Sequence, residues 1–430
     1  MFRKLILAAI LLVTGGWDSV AAGEDPNWAD IFRQAESFAS DLEVHGFLEG
    51  RGGFRLLEDK YEKDMSVMET RLQLDLSASP EWGDLKFKGD TLGDFVTGDT
   101  HFDIREVYFA CSPLEFMDAK IGRQVLTWGT GDLLFINDLF PKDWQSFLIG
   151  RDSEYLKAPS DAAKLSFFSD WANLDFVYTP RFDPDRFING ERISFYNGAL
   201  GRISGEDAVV HTDKPDRWFG DDELAVRIYR NIENYELALY GYRGYWKSPG
   251  GMNRRGQAIF PDLNVYGGSI RGAAGKGICN FEFGYYESDD DQNGGDPMVK
   301  NSELRFLAGY TQELAKELTG SIQYYVEQMT DYDNCRDGLP TGAKDRDRSR
   351  HLITVRLTKL LLSQNLRVGI FSYFSPTDKD AYLRPNVHYK ISDDLAVEAG
   401  ANVFLGDHSH TFFGQFHDNT NIYTAIRYNF

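Results

Sequence analysis

From Glu43 to Phe430, apolar and polar positions alternate in segment after segment, each roughly 9 to 14 residues long. The last ten residues are the cleanest case. Ile422, Thr424, Ile426, Tyr428 and Phe430 fall on one side, and Tyr423, Ala425, Arg427 and Asn429 on the other. Likewise Ile353, Val355 and Leu357 alternate with Thr354, Arg356 and Thr358. Successive side chains of a strand point to opposite faces, so a period of two predicts strands with one apolar and one polar face. About eighteen such strands are predicted, beginning near Glu43, Met65, Asp84, Phe102, Met117, Ala162, Asn173, Glu223, Tyr235, Asn264, Gly277, Ser302, Leu318, His351, Asn365, Ala381, Leu395 and Asn419. Between Phe102 and Trp128 the pattern is less regular. Arg105-Glu106 breaks the alternation, which a bulge would explain.

The links sort into two classes. After even-numbered strands they are short, as at Pro80-Glu-Trp-Gly, Asn231-Ile-Glu-Asn and Ser392-Asp-Asp. After odd-numbered strands they are often long and polar, covering 129–160, 182–222, 247–262, 288–301, 330–349 and 406–416. A propeller or a sandwich would not segregate its links this way. Lipid outside and water inside would satisfy both faces of every strand, and closure leaves no edge unpaired. The pattern therefore predicts an all-β chain forming a single transmembrane antiparallel β-barrel of about 18 strands, with 16 as the alternative count, short periplasmic turns and long external loops. Tyr240, Tyr242, Tyr245 and Trp246 crowd one strand end, and Tyr389, Tyr428 and Phe430 lie at the opposite edge, as interfacial aromatic girdles require. The terminal strand, ending on Phe430, resembles the closing-strand signal of Gram-negative outer-membrane barrels.

The amino-terminal segment agrees with export. Arg3 and Lys4 precede a short apolar run, Leu5 to Val13, and Val20-Ala21-Ala22 offers small residues for a signal peptidase. Residues 1–22 are expected to be a signal peptide and 23–42 a periplasmic amphipathic segment, with Trp28, Ile31, Phe32, Ala35 and Phe38 at helical spacing. The barrel is expected over 43–430. A formal charge of −20 argues against nucleic acid as a partner, because phosphates need a basic surface. Cys111, Cys279 and Cys335 are too few and too scattered for a disulfide framework, and no Cys-x-x-Cys-His attaches haem, so no cofactor is expected.

Chemistry concentrates on the first long loop and the polar faces. The loop opens with Gly122-Arg-Gln-Val-Leu-Thr-Trp-Gly-Thr-Gly-Asp132. This stretch resembles a broad proteobacterial family of porin-like outer-membrane proteins of undefined function that carry Gly-Arg-Gln-x-x-x-Trp-Gly, and more loosely the phosphate-selective and alginate-export porins. The resemblance implies a barrel with a solute or export role and picks out Arg123, Gln124, Trp128 and Gly129. Leu133, Leu134, Phe135, Ile136, Leu139 and Phe140 follow, and folding inward would cover them and narrow the pore. Asp132 joins Arg123, Gln124 and Trp128 as an expected constriction residue. Arg227, Arg305, Arg356, Arg367, Arg384, His388 and Arg427 fall on the polar faces, and charge toward lipid at mid-depth costs about 2–4 kcal/mol, so these face the lumen. They favour anions, or else, balanced by Glu236, Glu327 and Glu398, they stiffen the wall.

The acidic stretch Ser288 to Asp296 lacks a complete calcium-ligand pattern and reads as a solvated loop tip, as do His408, His410 and His417. No Ser sits beside a His and a supporting carboxylate in a recognisable motif, so no enzyme is expected. The expected function is a porin-like channel for passive passage of small or extended hydrophilic solutes. The alternative is a barrel sheath around an electron-conducting cytochrome, or the outer-membrane component of an export system. Expected partners are outer-membrane lipid and lipopolysaccharide, the solute, the barrel assembly machinery and, as one option, further copies of the chain in a homo-oligomer.

Overall fold

The computed structural model describes residues 42–339 and 343–430. The expected signal peptide and nearly all of the amphipathic segment lie outside the described residues. Within them, eighteen strands form one antiparallel sheet closed on itself. They are β1 (Glu43–Arg55), β2 (Met65–Ala78), β3 (Asp84–Asp94), β4 (Asp99–Leu114), β5 (Met117–Val125), β6 (Pro159–Phe167), β7 (Asn173–Thr179), β8 (Glu223–Ile232) and β9 (Tyr235–Tyr245). The second half comprises β10 (Asp262–Ala274), β11 (Gly277–Ser288), β12 (Glu303–Ala315), β13 (Leu318–Met329), β14 (Ser349–Leu361), β15 (Leu366–Ser375), β16 (Asp380–Lys390), β17 (Leu395–Gly406) and β18 (Asn421–Asn429). Each predicted strand is present. The starts differ by at most three residues, as at Asp99 for Phe102 and Pro159 for Ala162.

Closure is made by β18 on β1, in register from Phe47↔Asn429 to Arg55↔Asn421. Gly46 and Phe430 exchange two backbone hydrogen bonds of 3.0 Å, which ties the last residue into the seam. Gly46 is needed there: a Cβ on it would come within 2.8 Å of the Phe430 ring. The outward face carries the apolar positions, with Leu48, Ile322, Ile370, Ile422, Ile426 and Tyr428 all exposed, while Glu49, Arg51, Glu69, Arg71 and Gln73 on the inward face are buried. Such a wall, apolar outside and polar inside, is that of a β-barrel that faces lipid outside and water within. The expected bulge is at Arg105. Lys88 pairs with Glu106 and Gly89 with Ile104, so Arg105 is the extra residue and alternation changes phase across it.

External loops carry small elements of their own. A parallel and antiparallel trio joins 212–213, 258–259 and 251–252, and a hairpin joins Phe195–Asn197 to Arg202–Ser204. A one-and-a-half-turn helix, α1 (Trp144–Ile149), lies in the loop after β5. Asp143 caps it by accepting the Ser146 N–H at 2.7 Å, and Gly150 ends it in the left-handed region.

Candidate functional site

The loop 126–158 between β5 and β6 turns into the barrel and is held by inward side chains around the wall. Glu282 on β11 is the first anchor. Its carboxylate accepts the backbone N–H groups of Thr130 and Gly131, the Thr130 hydroxyl at 2.8 Å and the Asn137 side-chain amide at 3.0 Å. Gln323 on β13 then brackets Asp132, accepting its N–H at 2.7 Å and donating to its carbonyl at 2.8 Å. The Asp132 carboxylate meets Arg356 on β14 in a two-pronged pair at 2.5 and 2.7 Å. Tyr373 on β15 donates to the Leu133 carbonyl, and Tyr286 on β11 to that of Ile136. The facing glycines Gly267 and Gly284 make the dent that receives this segment: a Cβ at Gly267 would meet Asn137 Oδ1 at 1.9 Å, and one at Gly284 would meet Ile136 at 2.8 Å.

Farther along, the chain crosses to the opposite wall. Phe147 packs under the Arg384 guanidinium, 3.9 Å from its ring centre, and its carbonyl accepts from Tyr382. Arg51 donates to the Gly150 carbonyl at 2.5 Å, and Arg151 pairs with Glu69 at 2.8 Å. Tyr155 lies between the guanidiniums of Arg71 and Arg105, 4.0 and 4.5 Å from its ring centre, while Gln73 donates to its oxygen at 3.1 Å. Burial pushes the Tyr155 phenol well above its ordinary pKa, so it stays neutral. At Asp152 burial opposes ionisation, but Arg427 and the Glu154 N–H outweigh it, and the carboxyl lies below its ordinary range.

Segment 130–135 divides two spaces. On its external side is a vestibule of about 560 Å³, lined by Leu133, Leu134 and Phe135 of the loop and by Lys300, Arg305, Glu327 and Arg350 across from them. On its inner side a recess of about 190 Å³ is lined by Asp132, Arg271, Asn280, Gln323 and Arg356. Asp132 and Arg356 therefore sit on the partition between the two.

Ten of the eleven residues singled out from the sequence have inward-facing surroundings. Gln124 is fully buried and donates to the Ala162 carbonyl at 3.0 Å; Trp128 packs edge-on to Phe140, 5.0 Å between ring centres. Arg227 pairs with Glu236 at 2.7 Å, Arg305 with Glu303 at 2.7 Å, and Arg427 with Glu49 at 2.8 Å. Arg367 stands opposite His388, which stands opposite Glu398. Arg123 departs from the set. It is in register with Val107 and shares the face of Ile121, both exposed outward, and it pairs with Asp161 at 3.2 Å. Adjacent strand residues face opposite ways, so Arg123 and Gln124 cannot both line the lumen.

The sequence reading did not single out Glu282, Gln323 or Tyr155 as anchors, nor Lys300 and Arg350 of the vestibule. Alternation alone marks Glu282 and Gln323 as inward, but nothing local tells an anchor from a solvated wall residue.

No protein-family model matches the chain, and no curated protein matches it. Solved structures do. Pseudomonas aeruginosa OccK5 (OpdH) aligns over 91% of this chain and 98% of its own, with a TM-score of 0.55 at 8% identity. Acinetobacter baumannii OccAB3 aligns over 91% and 99% with a TM-score of 0.56 at 12% identity, and OccAB4 over 91% and 98% with 0.56 at 9%. At such identities the likeness is one of fold: the 18-stranded barrel of this chain shares their overall architecture over 91% of its length.

Proposed function

We propose that the barrel is a porin-like channel through which small polar or charged solutes cross the outer membrane passively, with anions preferred and the loop 126–158 as its selectivity element. The observation that carries this reading is the inward loop pinned across a lumen wide enough for water, since closed sheets of this strand number surround an aqueous bore. Charge supports the anion preference. Arg367 and Arg384 face the lumen without a carboxylate partner among the described residues, and Arg384 Nε has no hydrogen-bond acceptor. Fixed guanidiniums in a confined space present donors matched to anionic oxygens. A sheath for a folded cytochrome would need an open bore, and the loop's anchors on β11 to β16 and β18 to β2 occupy that space.

The test is conductance of the purified barrel in a planar bilayer under a salt gradient. Discrete open steps with an anion-leaning reversal potential are expected, and Arg367→Ala with Arg384→Ala should move that potential toward zero. A folded but silent barrel would overturn the passive-channel reading, and an unmoved potential in the double variant would remove the role of these arginines.

A further inference from the structure

The lipid-facing wall carries an ion pair well below its external rim. Arg123 on β5 and Asp161 on β6 stand in register and so share a face, with Arg123 Nη1 3.2 Å from a carboxylate oxygen of Asp161. Val107 and Ile121 are exposed on the same outward face. The depth follows from the strands. Arg123 is seven residues from Phe116, and Asp161 seven from Phe168, both in the periplasmic links, where the exposed Phe116 and Trp171 mark the lower aromatic girdle. At about 3.3 Å per residue and a tilt of about 35–45°, seven residues climb about 16–19 Å, inside an apolar band about 25 Å tall. The neighbouring strand agrees: Val107, in register with Arg123, has eight further residues of β4 above it, up to Asp99.

Lipid offers such a pair neither a counter-charge nor a hydrogen bond. The side chains are 31% and 33% exposed, and the guanidinium is not saturated. Only Nη1 reaches Asp161; Nε has no acceptor, and Nη2 donates to nothing among the described residues. Charge and geometry single out what covers them. A lipopolysaccharide phosphate has the sign that Asp161 repels, and it belongs to the headgroup layer above. A second copy of the chain, related by a two-fold axis along the membrane normal, keeps the same depth and exchanges left for right. Arg123 of each copy then faces Asp161 of the other, so the pair is its own complement. Ala163 adjoins Asp161 on this face, in register with Ile121 and Tyr178, and its small side chain lets a second wall come close.

We propose that the outward face of β5 and β6 is a two-fold interface between two copies of this chain, with Arg123 and Asp161 of each copy pairing across its centre. The proposal does not rest on the channel reading, since two barrels so joined keep separate lumens.

Two measurements test it. Sedimentation equilibrium of the purified barrel in density-matched detergent gives the dissociation constant of the dimer. Oxidative cross-linking of Ile121→Cys in membrane fragments, in a chain that also carries Cys111→Ser, Cys279→Ser and Cys335→Ser, reports the same face before extraction. A dimer and a cross-linked pair are expected. Arg123→Asp alone and Asp161→Arg alone each set like charges against each other and should weaken the dimer by about tenfold or more. Mixing these two variants should restore a heterodimer, and Arg123→Asp with Asp161→Arg in one chain should restore the homodimer. A folding defect cannot produce that rescue. Where a single reversal does not fold, Arg123→Leu with Asp161→Leu replaces it; this wall suits lipid, and its dimer should be weaker by about tenfold or more. A monomer at every concentration with no cross-link, a trimer, a dimer as tight without the two charges, or reversals that the mixture does not rescue would each overturn the proposal.

Discussion

Removing the Glu282 carboxylate should release the segment that divides the lumen. In Glu282→Ala the N–H groups of Thr130 and Gly131 lose their acceptor in a place that is otherwise buried, since Glu282 is 3% exposed. An unmatched buried donor costs about 1–3 kcal/mol, so two cost about 2–6 kcal/mol, before counting the bonds from the Thr130 hydroxyl and Asn137. Even the lower bound of about 2 kcal/mol shifts the ratio of docked to released segment by about 30-fold. Gln323, Arg356 and Tyr286 still hold neighbouring points, so segment 130–137 loosens while 147–157 stays on the opposite wall. Single-channel recording should register larger or flickering open steps. Thermolysin added to the purified barrel should cut within Leu133 to Ile136, where the parent resists. Glu282→Gln keeps one acceptor oxygen and should fall between the two. If Glu282→Ala matched the parent in both conductance and thermolysin resistance, the carboxylate would not be the anchor and the reasoning would fail.

Three further outcomes follow from the same geometry. Gly284→Val, by filling the dent against Ile136, should reproduce the thermolysin sensitivity of Glu282→Ala without removing any hydrogen-bonding group. Asp132→Asn breaks a pair whose side chains are 36% and 37% exposed, so solvent screening holds the loss of stability to about 0.5–1 kcal/mol; the freed Arg356 should raise anion selectivity in bi-ionic potentials. On the external loop 56–64, burial raises the Glu62 carboxyl from an ordinary value of 4.5 to about 8, against the pull of Arg55. The folded loop keeps a proton that the opened loop loses, so its stability declines as pH rises from about 4.5 and the loss is complete above about 8. Amide hydrogen exchange of 56–64 should therefore show increasing opening across that window, beyond the intrinsic base catalysis, and Glu62→Gln should remove the dependence.

The wall of this protein was written locally, and its lumen was not. Each strand carries its own instruction, because lipid on one face and water on the other leave a period of two as the only satisfactory pattern. That is why Ile422, Thr424, Ile426 and Tyr428 alone identify the outward face of β18, and why the alternation of short and long links identifies both strand count and closure. Even the bulge at Arg105 was legible, since a phase break in alternation has few other structural causes. The lumen obeys a different rule. Glu282 meets Thr130 across 152 residues of chain, Asp132 meets Arg356 across 224, and Tyr373 meets Leu133 across 240. No periodicity encodes such partners. A loop rich in leucine and phenylalanine says that it must be covered, but not by which wall. Only the closed barrel decided that Glu282 would be an anchor, that Gly267 and Gly284 would form its dent, and that loop aromatics would face Lys300 and Arg350 across a shared space.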